Sequence, residues 1–147
     1  MRRGWSVLFV LLSTSGAALG AAAQQDATPS GRETGGFSLE QNYPNPFNPE
    51  TRIPFTLGED LFAEGQPIVV SIRIYNLLQQ FVAAPTALRH PAGEGVPILQ
   101  LEYTQPGSYA GYWDGTDQNG IQVASGVYFV QLTVNGESKH RRMFVTK

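Results

Sequence analysis

The chain has 147 residues, with 12 Asp+Glu against 10 Lys+Arg, and no cysteine. That length fits one domain. The mild negative charge leaves no electrostatic footprint for nucleic acid, and the missing thiols exclude disulfides, thiolate metal sites and a thiol nucleophile. Stability must therefore come from an ordinary hydrophobic core, which an aromatic content of 11% makes feasible.

Residues 1–23 read as a secretory signal peptide. Arg2 and Arg3 supply the positive start, and the apolar stretch runs from Trp5 to Leu12 and resumes at 17–19. Ser13, Thr14, Ser15 and Gly16 interrupt it, leaving it too short and broken to span a bilayer. Ala21, Ala22 and Ala23 offer small residues for cleavage, so the mature chain is expected to begin near Gln24 after general secretory export. Loss of Arg2 and Arg3 leaves 8 Lys+Arg against 12 Asp+Glu, a net charge of about −4. Residues 24–36 (QQDATPSGRETGG) are polar and aperiodic, which predicts a flexible leader. A folded module is expected over 37–147.

From Phe37 onward the pattern has period two. Residues 51–57 predict a strand with Ile53, Phe55 and Leu57 on one face, and Pro54 within it argues for a sheet edge or a strand start. The strongest strand is 68–75, where Ile68, Val70, Ile72 and Ile74 alternate with Val69, Ser71, Arg73 and Tyr75. Residues 77–84 are compatible with a helical turn, which Pro85 limits. Residues 98–103 and 108–113 are weaker strands, separated by the turn-forming Pro106-Gly107. The clearest unit is C-terminal: strands over 127–134 and 138–145 joined by Asn135-Gly136, a pair suited to positive φ in a two-residue hairpin. Together these elements predict an all-β chain, an immunoglobulin-like antiparallel β-sandwich of about seven short strands.

Residues 41–51 (QNYPNPFNPET) form the most unusual segment. Pro44, Pro46 and Pro49 stiffen it, Asn45 and Asn48 can close side-chain turns, and Tyr43 and Phe47 are expected to act as apolar pegs clasping one end of the sandwich. With Asn42, this segment resembles the opening of the C-terminal sorting domains of the type IX (Por) secretion system, and of the related immunoglobulin-like domain of flagellar hook-capping proteins. Three further pieces follow in the family's order. Residues 72–80 (IRIYNLLQQ) are similar to its strand and turn. Trp113, Asp114, Gly115, Asp117 and Gly120 match its "WDGxDxxG" turn, and Ser125, Gly126 and Tyr128 belong to its "SGVYF" strand. Residues 142–147 also look like its terminal strand, which commonly ends in Lys.

Three departures stand out, the last of them the largest. Gln79 occupies a turn position that is usually Gly, and 85–105 is longer than the usual connection, predicting an extra hairpin or loop. Family members also usually follow a large cargo domain, where this sequence has the short leader.

The resemblance implies export through the periplasm to the medium or cell surface, and recognition by outer-membrane secretion machinery. The alternative it implies is a stand-alone structural or adhesive interaction module of hook-capping type. Lys139, Arg141, Arg142 and Lys147 are the candidate docking residues, because the family's sorting signal is placed near this end. Lys139 and Arg141 fall on one face of a strand, and His140 and Arg142 on the other. Charge that blunts an edge strand against aggregation explains the same basic run equally well. Asp114, Asp117 and Asn119 can offer oxygens to Ca²⁺, but their spacing misses the twelve-residue calcium loop. Turn carboxylates serving their own backbone, with Trp113 in the core, are the reading adopted.

No catalytic arrangement is expected. His90 and His140 lack metal-ligand spacing, and Ser125 is not in a nucleophile elbow. Gly93-Glu94-Gly95 lacks the third glycine of a dinucleotide loop, and Glu59-Asp60 reads as a solvated turn. No metal, cofactor or small-molecule substrate is expected.

Overall fold

The protein's computed structural model describes residues 36–147, so the expected signal peptide and all but the last residue of the leader lie outside the described residues. Nine strands run in chain order: β1 Phe37–Leu39, β2 Thr51–Leu57, β3 Ile68–Tyr75, β4 Phe81–Ala83, β5 Thr86–Ala87, β6 Leu101–Tyr103, β7 Gly107–Trp113, β8 Gly126–Val134 and β9 Glu137–Val145. A single 3₁₀ turn, Glu59–Phe62, is the only helical element among the described residues. The two sheets are antiparallel throughout. One has the order β1-β2-β7-β5, and the other β4-β3-β8-β9 with β6 also on β3. The chain is a β-sandwich of the expected class, with nine strands rather than about seven.

Period-two patterning sets the core. Ile53, Phe55 and Leu57 of one sheet face Val70, Ile72, Ile74, Val130, Leu132 and Val134 of the other, all essentially without solvent exposure. The β8–β9 hairpin turns at Asn135-Gly136 with φ of 49° and 86°, the left-handed pair a two-residue turn needs.

Three expectations are corrected. Despite Pro54, β2 is an interior strand between β1 and β7. Glu40 donates its N–H to the Pro54 carbonyl, so the missing proline N–H forfeits only the reciprocal bond to Glu40, just past the last residue of β1. The 77–84 segment holds no helical turn. Asn76 Oδ1 accepts from the N–H groups of Leu78 and Gln80, closing a loop whose Gln79 takes φ 59°, and Phe81–Ala83 then adds to β3. The left-handed conformation explains why glycine suits that position. Finally, the strand foreseen at 98–103 begins only at Leu101, and Ile98 is instead a fully buried plug.

That plug belongs to the long 85–105 segment, which closes one side of the sandwich. β5 pairs with β7 in the first sheet, and a narrow loop returns through the Ala87 N–H to Val96 carbonyl bond of 2.7 Å. Ile98 accepts from the Ile72 N–H at 2.8 Å, and β6 then pairs with β3 in the second sheet. Gly111 makes room for this crossing: a Cβ there would lie 3.1 Å from Ile98 Cδ1 and 3.3 Å from Pro85 Cβ.

Candidate functional site

Antiparallel pairing brings the ends of β3, β7 and β9 and the starts of β2 and β8 to one pole of the sandwich. All four motif segments meet there. The clasp at 41–49 lies along β9: the Phe47 N–H donates to the Phe144 carbonyl at 3.0 Å, and the Thr146 N–H donates to the Phe47 carbonyl at 3.0 Å. Asn45 does not close a local turn as expected. Its Oδ1 accepts from the Phe144 N–H at 2.9 Å, which terminates the β9 edge. Asn42, buried at 2% exposure, ties the clasp internally by donating to the Pro44 carbonyl and to Thr51 Oγ1, both at 3.1 Å. Pro44, Pro46, Asn48 and Pro49 stay on the surface. Only one of the two pegs is a peg: Phe47 is 1% exposed, whereas Tyr43 is 76% exposed.

Phe47 meets the second motif through its ring, which packs edge-on against Trp113 at 5.4 Å. Trp113 packs in turn against Tyr128 at 5.8 Å and donates Nε1–H to the Thr116 carbonyl at 2.8 Å. The carboxylates of this turn serve its own backbone. Asp114 Oδ1 accepts from the Thr116 N–H at 2.9 Å, and Asp117 Oδ1 accepts from the N–H groups of Asn119 and Ile121 at 2.8 and 3.0 Å. Gly115 is required twice over. Its φ is +78°, and a Cβ would sit 2.3 Å from the Pro49 carbonyl oxygen of the clasp. Gly120 closes the turn at the same φ in open space. The Gln118 N–H donates to the Val82 carbonyl at 2.9 Å, so this turn also holds β4.

The Ser125–Tyr128 piece locks the chain end. Ser125 Oγ accepts from the Lys147 N–H at 3.0 Å, Gly126 pairs with Val145, and Tyr128 donates its hydroxyl to the Ala124 carbonyl at 2.9 Å. Burial raises the Tyr128 phenol pKa. Leu77, Leu78 and Ile121, on the loops around this pole, are all well exposed.

The basic run divides as its alternation predicts, with a consequence the sequence did not show. Lys139 and Arg141 share the inward phase of Met143 and Val145, and reach across to β1. Lys139 Nζ donates to the Phe37 carbonyl at 2.7 Å and Arg141 Nε to the Leu39 carbonyl at 2.9 Å. They satisfy carbonyls on the edge strand β1 and bridge the two sheets along the open side, with Lys139 also over the Phe37 ring at 5.0 Å. Inward-phase charges on a strand are the signal that marks this edge role. Arg142 and His140 point outward, and Lys147 stands at the motif pole.

On the far side, Tyr103 is pressed between the rings of Phe55, Tyr109 and His90. Burial first, and Tyr109 second, push its phenol up to about 12. Among the described residues, no three His, Asp or Glu side chains gather as metal ligands.

No family model and no curated protein matches the chain. Among solved structures, it is similar to part of dimeric latent PorU from Porphyromonas gingivalis, with 18% identity and a TM-score of 0.49. The match covers 75% of this chain and 9% of that one.

Proposed function

We propose that this protein is a non-catalytic sorting module, exported through its signal peptide and recognised by outer-membrane secretion machinery at its C-terminal pole. The observation that carries the reading is convergence. The four segments that resemble sorting-domain motifs, together with the chain's last residues, build one end of the sandwich. Phe37, where the described chain enters, pairs with Leu57 at the opposite end. The described chain therefore enters the sandwich at the end away from the motif pole. Exposed Leu77 and Leu78, with Arg142 and Lys147, give that pole an apolar and cationic surface.

Truncating the last strand is a poor test, because β9 contributes the buried Met143 and Val145 to the core. A reporter inserted within residues 24–36 and carrying Leu78→Ser, Arg142→Glu and Lys147→Glu leaves the core untouched. The expected result is a reporter retained in the periplasm with an unchanged melting temperature. Undiminished release to the surface or medium would refute the reading and favour a stand-alone interaction module.

A further inference from the structure

We infer that the outer face of the β3–β8–β9 sheet is a binding site for an acidic glycan, a chain of sugar rings bearing carboxylates. The inference does not rest on the sorting role, although the two surfaces share Leu77 and Arg142. Strand register fixes the face as a grid. Tyr75 lies beside Phe129 and Phe129 beside Arg142; two residues along, Arg73 lies beside Gln131 and Gln131 beside His140. Cross-strand neighbours of this kind bring their Cβ atoms to about 5 Å, close enough to act on one ligand. Tyr75, Leu77, Gln79, Phe129, Gln131 and His140 line an open groove of about 590 Å³, within the range of small-ligand sites. Phe81 extends its aromatic floor, edge-on to Tyr75 at 6.3 Å.

The chemistry of the lining selects the ligand. Aromatic faces carry negative charge density and attract the polarised C–H faces of sugar rings. The two amides and the imidazole supply donors and acceptors suited to hydroxyls. Arg73 and Arg142 flank the groove, and none of the outward positions of β3, β8 and β9 is acidic. In a chain with more acidic than basic residues this is a local cationic face, and guanidinium forks fit carboxylates.

A peptide is a poorer fit. Sheets usually capture peptides through unpaired backbone at an edge, but β3 and β8 are interior, and β9 is lined by the clasp and by the Lys139 and Arg141 bridges to β1. Recognition on this face falls to side chains alone.

The test is titration of the full chain with oligogalacturonate, followed by amide chemical shifts. Saturable shifts are expected at Arg73, Tyr75, Phe129, Gln131 and His140. Tyr75→Ala and Gln131→Ala should each weaken binding by about tenfold, and a neutral cello-oligosaccharide should bind more weakly than oligogalacturonate. Melting of each variant checks its fold, and the smaller Gln131→Ala change keeps the test decisive if Tyr75→Ala unfolds. Absence of saturable shifts, or affinity unchanged in Gln131→Ala, would overturn the assignment. Equally tight binding of polyglutamate would do the same, showing attraction to charge alone.

Discussion

Truncation of Trp113 to alanine measures how far the motif pole behaves as one packed unit. The indole is 2% exposed and touches the rings of Phe47 and Tyr128. A buried aromatic of this size removes about 150–250 Å² from water, worth about 4–6 kcal/mol at about 25 cal/mol per Å². Core Trp→Ala changes cost about 3–5 kcal/mol after partial relaxation, so a loss near 4 kcal/mol is expected. It should appear in urea denaturation followed by circular dichroism as a lower midpoint at unchanged slope. Phe47→Ala should also destabilise, because the clasp then loses its anchor between Trp113 and β9. The double variant should lose less than the sum of the two single losses, by about 0.5–1.5 kcal/mol for the ring pair. A single-site loss under about 1 kcal/mol at Trp113, or strict additivity with Phe47, would refute the packed-pole argument.

Gly115→Ala and Gly120→Ala share φ of +78°, so each should incur backbone strain of about 1–3 kcal/mol. Only Gly115→Ala also drives a Cβ to 2.3 Å from the Pro49 carbonyl oxygen, so it should melt at the lower temperature, and equal melting would contradict the close approach. Alkaline pH should weaken the fold in a defined window. Tyr103 is raised from 10.0 to about 12 in the folded state, so folding favours its protonated phenol. That contribution is whole below pH 10 and is lost as pH climbs towards about 12. Tyr103→Phe should flatten this decline in stability, leaving the part due to Tyr109 and Tyr128, which burial also raises, and to Tyr112, raised by its hydrogen bond to Glu50. A decline as steep as the parent's would exclude Tyr103 as its source.

Much of this protein was legible in its sequence, because some instructions are local. Asn135-Gly136 tolerates the dihedral angles its hairpin demands, and the alternation of 68–75 assigns every side chain to a face whatever the strand pairs with. The short-range carboxylate bonds of the Trp113–Gly120 turn span only two to four residues and follow from residue type.

Pairing across the fold depended on the tertiary structure. Pro54 suggested an edge, yet it forfeits only the reciprocal bond to Glu40, just past the last residue of β1, so an interior place is tolerated. Tyr43 and Phe47 look alike in sequence, and only the approach of β9 and Trp113 decides that one is buried and the other exposed. Lys139 and Arg141 read equally well as docking residues or as edge protection. Their carbonyl partners lie 102 residues away in the chain, a distance over which no residue pattern specifies contact. Backbone preference and side-chain period act over a few residues and are written into the sequence directly. Which strand neighbours which is settled by closing the whole core, and that placed the four motifs at one pole.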